Sequence, residues 1–308
     1  MGHLVDGKWD TGWYKADASG AFKRPETKFR EKELEAEPGR YHLYASYACP
    51  WAHRILIMRS LLGLEDAIGL TIVASKMGDD GWTLEGEDGE VDPLHGAKFL
   101  RDVYTRADSK YTGRVTVPVL WDKTKGTIVN NESRELMRIF DTQLAAMGTT
   151  GVRLVTPENT AAVDAMIDAN YESFNNGVYR AGFATSQGAY EKGCRDVFGA
   201  LERCEAILAK QRYLCGNELT EADIAFFTTC LRFDVVYYAH FKCNVKRLQD
   251  LPNVQGFLKD LYQRPAIKKT CRLDHIKTHY YWSQHTVNPT RIVPLGPELD
   301  LESPHGRG

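Results

Sequence analysis

Tyr41-His42-Leu43-Tyr44-Ala45-Ser46-Tyr47-Ala48-Cys49-Pro50-Trp51-Ala52-His53-Arg54 is the stretch from which the fold can be read. Its first six residues, Tyr41–Ser46, are mostly aromatic or apolar and read as a strand. Pro50 suits the first position of a helix, where its missing N–H costs nothing. Trp51, Ile55, Met58 and Leu62 then recur at helical spacing, and Gly63 is a stop signal. Leu70-Thr71-Ile72-Val73 reads as a second strand, which completes a βαβ unit. Cys49 is thereby predicted at the start of a helix that follows a strand.

Further along, Val115–Trp121 reads as a strand with an internal proline, Pro118. A proline gives nothing to a ladder, so it implies an edge, a bulge or a cis bond. Asp122–Gly126 is a hairpin turn and Thr127-Ile128-Val129 a return strand. Asn130-Asn131-Glu132-Ser133 leads into a helix with Leu136, Ile139 and Phe140 inward. The order β-α-β, then β-β-α, is that of a thioredoxin-like domain, expected over residues 40–145. A Gly- and Asp-rich insertion with short helical pieces interrupts it at about 76–113. Residues 156–286 read as helical throughout. Thr156-Pro157 opens one helix by the cap-then-proline rule, Thr220 and Asp223 stand at capping-box spacing, and Lys246–Tyr262 holds another helix that ends before Pro265. Residues 1–39, spotted with Trp9, Trp13, Tyr14, Phe22 and Phe29, are expected to form an arm that wraps the domain. Residues 287–308 are expected to be an extended surface tail.

Composition narrows the class. The 308 residues include 39 basic and 41 acidic side chains, for a net charge of −2. That balance argues against a nucleic-acid binder working through a broad basic surface. With 43% hydrophobic and 26% charged residues, the chain can bury a sizeable core and is not of the disordered class. Seven cysteines are too dilute for a disulfide scaffold and odd in number, so a reducing, cytoplasmic setting is expected. No stretch approaches the ~20 apolar residues of a membrane span, and the start lacks the apolar core of an export signal. No metal is expected, because no two Cys or His residues show zinc-ligand spacing with a second matching pair.

Cys49 carries the chemistry in this reading. The thiolate is the nucleophile in thiol chemistry, and a helix N-terminus offers unpaired N–H donors and a positive dipole end that favour it. His53 and Arg54 stand one turn on and can add positive charge. The motif is Cys-Pro-Trp-Ala, so Ala52 fills the place of a second redox cysteine and an internal Cys-x-x-Cys disulfide is excluded. Turnover must draw a second thiol from solution. Cys204, Cys215 and Cys230 lie in apolar, helix-rich stretches and are expected in the core.

Four segments together resemble the glutathione transferases, and more narrowly the glutathionyl-hydroquinone reductases of the xi class. They are Gly39–Arg54, Tyr104–Asp122, Ile128–Ser133 and Asn288–Pro297. The resemblance spans nearly the whole chain and implies a thioredoxin-like N-terminal domain followed by a transferase-type helical domain. It implies that Cys49 takes glutathione as a mixed disulfide and that Val117, before a cis Pro118, offers its backbone to the cysteinyl part of glutathione. Glu132 and Ser133 would hold the γ-glutamyl end, which suits a helix N-terminus and a carboxylate. Trp82 and Arg114 stand where the family places further glutathione contacts. The electrophile is expected between the two domains, lined by tyrosines: Tyr179, Tyr237 or Tyr238, and Tyr280 or Tyr281. Spacing from the motifs favours Tyr238 and Tyr281. A phenol can stack on a hydroquinone ring and hydrogen-bond its oxygens.

The implied reaction is the glutathione-dependent reduction of glutathionyl-hydroquinones, with glutathione as co-substrate, no metal, and a homodimer as the assembly. Three other readings use parts of the same set. A general thioltransferase or dehydroascorbate reductase would use Cys49 with a less specific cleft. A conjugating transferase would make thioethers. A scaffolding module would need no reactive thiol, and the joint presence of Cys49, Val117-Pro118 and Glu132-Ser133 argues against it.

Overall fold

An amino-terminal hairpin comes first, β1 (His3–Val5) with β2 (Lys8–Asp10). The computed structural model describes residues 2–12 and 16–307; the arm's Trp13 and Tyr14 lie outside the described residues. There follow β3 (Tyr41–Ala45), α1 (Pro50–Leu61), β4 (Gly69–Ile72), α2 (Leu100–Ala107), β5 (Gly113–Arg114), β6 (Val119–Asp122), β7 (Thr127–Asn130) and α3 (Ser133–Thr142). The remaining helices are α4 (Thr160–Asn170), α5 (Gly177–Gly182), α6 (Gln187–Leu208), α7 (Glu221–Arg232), α8 (Pro252–Tyr262), α9 (Pro265–Lys268) and α10 (Leu273–Ser283).

The described residues form two compact units. The first holds Arg24–Val152, the amino-terminal hairpin and, from much later in the chain, Arg272–Gln284. Its main sheet runs β4-β3-β6-β7, with β3 and β4 parallel and the other pairs antiparallel. Every residue of β3 is buried, the mark of a central strand covered on both faces. Leu43 pairs with Leu70 on one side and Leu120 on the other. The thioredoxin-like order expected from the sequence is therefore present. Strand β6 is shorter than the expected Val115–Trp121, because Pro118 brings no N–H and regular pairing starts at Val119. The arm is more than a wrap: β1 pairs with both β2 and β5 to make a small sheet.

Helix α1 ends as its sequence suggests. Gly63 adopts φ +67, its N–H reaches the Ser60 carbonyl and the Leu64 N–H reaches that of Arg59. Those two bonds are the Schellman pattern, which needs a left-handed residue that glycine supplies without steric cost.

The second unit holds Arg153–Cys271, the arm's residues 16–23 and the tail from His285. Its core helix is α7, buried along its whole length. The Asp223 carboxylate accepts from Thr220 N–H at 2.9 Å and from its hydroxyl at 2.7 Å, so the capping box forms. Helices α5 and α6 touch at backbone level: a methyl on Gly193 would meet Ala181 N at 2.8 Å. Two boundaries differ from expectation. Helix α4 opens at Thr160 rather than Pro157, because Asn159 and Thr160 N–H both fold back to the Thr156 carbonyl. The expected Lys246–Tyr262 helix is a 3₁₀ turn, Leu248–Asp250, followed by α8, with Pro252 in its first turn. The expected helical domain ran to residue 286, whereas α10 packs in the first unit. There His279 Nδ1 lies 3.0 Å from the Ser75 carbonyl and the Ser283 hydroxyl accepts from Met77 N–H at 2.9 Å. Periodicity shows that such a helix has an apolar face but not which face receives it. The tail has no regular structure from Thr290, as expected, but it is anchored. Lys259 donates to Asp300, and Arg307 donates to the Leu208, Gln211 and Arg212 carbonyls at and just past the end of α6. Among the described residues no helix is long and apolar enough to cross a membrane.

Candidate active site

Cys49 caps α1. Its backbone is extended (φ −78, ψ 123), Pro50 follows in the first turn, and its carbonyl accepts the first helical bond from His53 N–H. The residue is partly exposed. Its thiol points at the carbonyl of Val117, 3.7 Å away. Val117 precedes Pro118 through a cis peptide bond, and together they lead into β6.

A second helix start lies in the same unit. Glu132 caps α3: its carboxylate accepts from Arg134 N–H at 3.3 Å and from the Thr27 hydroxyl at 3.2 Å. Ser133, buried, is the first helical residue. Arg54, one turn into α1, donates to the Ser133 hydroxyl at 3.4 Å. Its guanidinium also stacks over Trp51, 4.5 Å from the ring centre. Arg54 is thus directed along the helix starts, where its charge adds to both dipoles. Such a constellation provides a thiol, the backbone before a cis proline and a carboxylate beside helical N–H groups. It can hold a small peptide carrying both an ammonium and a carboxylate.

The other candidates are spread over both units. Trp82 is buried in the first unit and stacks flat on His279, with ring centres 4.6 Å apart. Arg114 donates to the Gly2 and Gly12 carbonyls and so ties down the amino-terminal hairpin. Tyr281 lies on α10, in the first unit, and like Tyr280 is buried; burial pushes its phenol up. In the second unit, Tyr179 sits among Phe183, Tyr237 and Phe241. Tyr237 is wholly enclosed and stacked on Phe241, whereas Tyr238 is half-buried.

Two models describe most of the chain. The glutathione S-transferase N-terminal domain matches residues 48–143 and the C-terminal domain residues 187–260. The chain is 47% identical to glutathionyl-hydroquinone reductase YqjG of Escherichia coli, across 100% of this chain and 98% of YqjG. It is 46% identical to glutathionyl-hydroquinone reductase PcpF of Sphingobium chlorophenolicum, across 98% of each. A xi-class transferase structure from Natrialba magadii superposes with a TM-score of 0.95 at 48% identity, covering 100% of this chain and 97% of that one. The chain belongs to the xi class of the glutathione transferases.

In this transferase neither the direction of Arg54 nor the contact from Thr27 is legible in the sequence. Nothing in the spacing signals that a residue in the arm reaches a carboxylate 105 positions later. Cys204 and Cys230 are in the core as expected, but Cys215 is only half-buried.

Proposed function

We propose that this transferase reduces glutathionyl-hydroquinones to hydroquinones at the expense of glutathione. The observation that carries the reading is the Cys49 thiol, at the cap of α1 and 3.7 Å from the Val117 carbonyl. The names of YqjG and PcpF support it. In the first step the Cys49 thiolate attacks the sulfur of the adduct. A Cys49–glutathione disulfide forms, the aryl carbon–sulfur bond breaks, and the electron pair passes to the ring, which takes a proton. Tyr238 is our preferred donor, because it is half-buried where its neighbour Tyr237 is enclosed; Tyr179 and Tyr281 are the further tyrosines of the reading. In the second step another glutathione thiolate attacks the disulfide, glutathione disulfide leaves, and the Cys49 thiolate returns. One thioether is reduced and one disulfide is made, so electrons balance.

Backbone at Val117 pairs with the cysteinyl part of glutathione, as extended peptides pair with an open strand edge. Glu132 takes its ammonium, and the α3 N-terminus with Ser133 takes its carboxylate. Trp82 and Arg114 supply further glutathione contacts in this reading. The assembly is a homodimer, which light scattering on the purified chain tests.

The deciding experiment is mass spectrometry after incubation with glutathionyl-menadiol. We expect a glutathione mass on the Cys49 peptide, and no hydroquinone release from Cys49→Ser. Undiminished release from that variant overturns the reading. A higher rate on a small mixed disulfide than on the adduct points instead to a general thioltransferase.

A further inference from the structure

The Val117 backbone and the Glu132–Ser133 helix start come from different segments, yet they must keep a fixed separation to grip one small peptide. A single hydroxyl joins them. Tyr104, on α2, is completely buried. Its hydroxyl donates to the Thr116 carbonyl at 2.8 Å. It accepts from Thr116 N–H at 3.2 Å and from Asn131 Nδ2 at 3.0 Å. A phenol has one proton to give and two lone pairs, and all are used here. Burial pushes the phenol up, so it stays a neutral donor. Thr116 immediately precedes Val117, and Asn131 immediately precedes Glu132.

The arm fastens to the same point. Phe29 N–H donates to Asn131 Oδ1 at 3.3 Å, and Asn131 N–H donates to the Phe29 carbonyl at 3.1 Å. The Phe29 and Tyr111 rings both meet Tyr104 edge-on, at 5.9 and 5.0 Å. These two rings stack on each other, 5.5 Å apart, and pack one side of Tyr104, while the hydrogen bonds hold its hydroxyl.

We propose that Tyr104 is a positioning residue for glutathione, setting the distance between the backbone at Val117 and the γ-glutamyl grip at Glu132–Ser133. The inference rests on the glutathione-binding roles given above to those residues. Tyr104 itself touches no substrate.

Tyr104→Phe keeps the ring and its packing and removes only the oxygen. Four polar groups then lose a buried neighbour, the Thr116 hydroxyl at 3.4 Å being the fourth. The expected result is a rise of about fivefold or more in the glutathione Kd by calorimetry and in its KM, given ~1 kcal/mol for even one lost bond. The alkylation rate of Cys49 by iodoacetamide changes by less than the glutathione Kd, because Cys49 is held by the α1 cap as well as by its contact with Val117. A merely structural role predicts a lower melting temperature with Kd within twofold of the parent, and that result overturns the proposal. Should Tyr104→Phe not fold, Asn131→Ala removes one of the hydroxyl's bonds and carries the same test, a twofold or greater rise in Kd supporting the proposal and no change overturning it. A parent chain that fails to bind glutathione refutes the functional reading itself; a parent that binds alongside an unaltered variant refutes only the role of Tyr104.

Discussion

Cys49 stands apart from the other cysteines in what surrounds its sulfur. Burial pushes the thiol of Cys215 up to about 11, and those of Cys204 and Cys271 up to about 12. Cys194, Cys230 and Cys243 are likewise displaced upward by desolvation. All six hold their protons at pH 7.5, and the thiol form is unreactive. Cys49 has a helix N-terminus at its back instead. Brief iodoacetamide treatment at pH 7.5 should therefore label the Cys49 peptide first, by a margin of tenfold or more over any other. Comparable labelling of Cys215 or Cys271, the half-buried competitors, would remove the case for an activated sulfur. This residue was legible in the sequence because a strand, a Cys-Pro pair and a helical period fall in one short stretch. Tyr104 was not. Its importance comes from which backbone groups end up around its hydroxyl, and no local pattern encodes that.

Among the elements, the β3–β4 pair has its own response to pH. His42 on β3 is buried, and its Nε2 lies 2.8 Å from the Thr71 hydroxyl on β4. Desolvation pushes the imidazole down to about 4. An unfolded chain takes up this proton near pH 6.5, whereas the folded one resists until about 4. The unfolded state therefore binds more protons between those values, and stability falls as the pH drops through that window. The loss reaches at most about 3 kcal/mol. Thermal melts from pH 7 to 4 should show the decline, and His42→Gln should flatten part of it. An identical slope in the variant would leave His42 without a role. Strand and helix identities here were readable, as at Gly63, because capping and period are local signals. Element ends were less so: Thr160 displaces Pro157 as the start of α4 through a turn closed on the Thr156 carbonyl, which competes with the proline rule.

On the scale of the whole molecule, two halves of different character were evident from composition and period. The allegiance of α10 was not. Its pattern says that one side is apolar, but the receiving surface is built by Ser75, Met77 and Trp82, some 200 positions earlier. A fragment ending at residue 152 therefore lacks a helix that its own fold calls for. It should melt well below a fragment in which residues 272–284 are rejoined by a flexible linker, and protease should cut it faster between residues 75 and 82. Equal melting temperatures for the two would deny α10 any part in that unit.

The same arrangement bears on how the protein is born. Domains tend to fold in order as the ribosome delivers them. Here the thioredoxin-like half, though made first, waits for a late helix before its last side is closed. During translation the Trp82 face stays uncovered while the entire second half is being made, so the nascent chain has a window in which a chaperone can engage it.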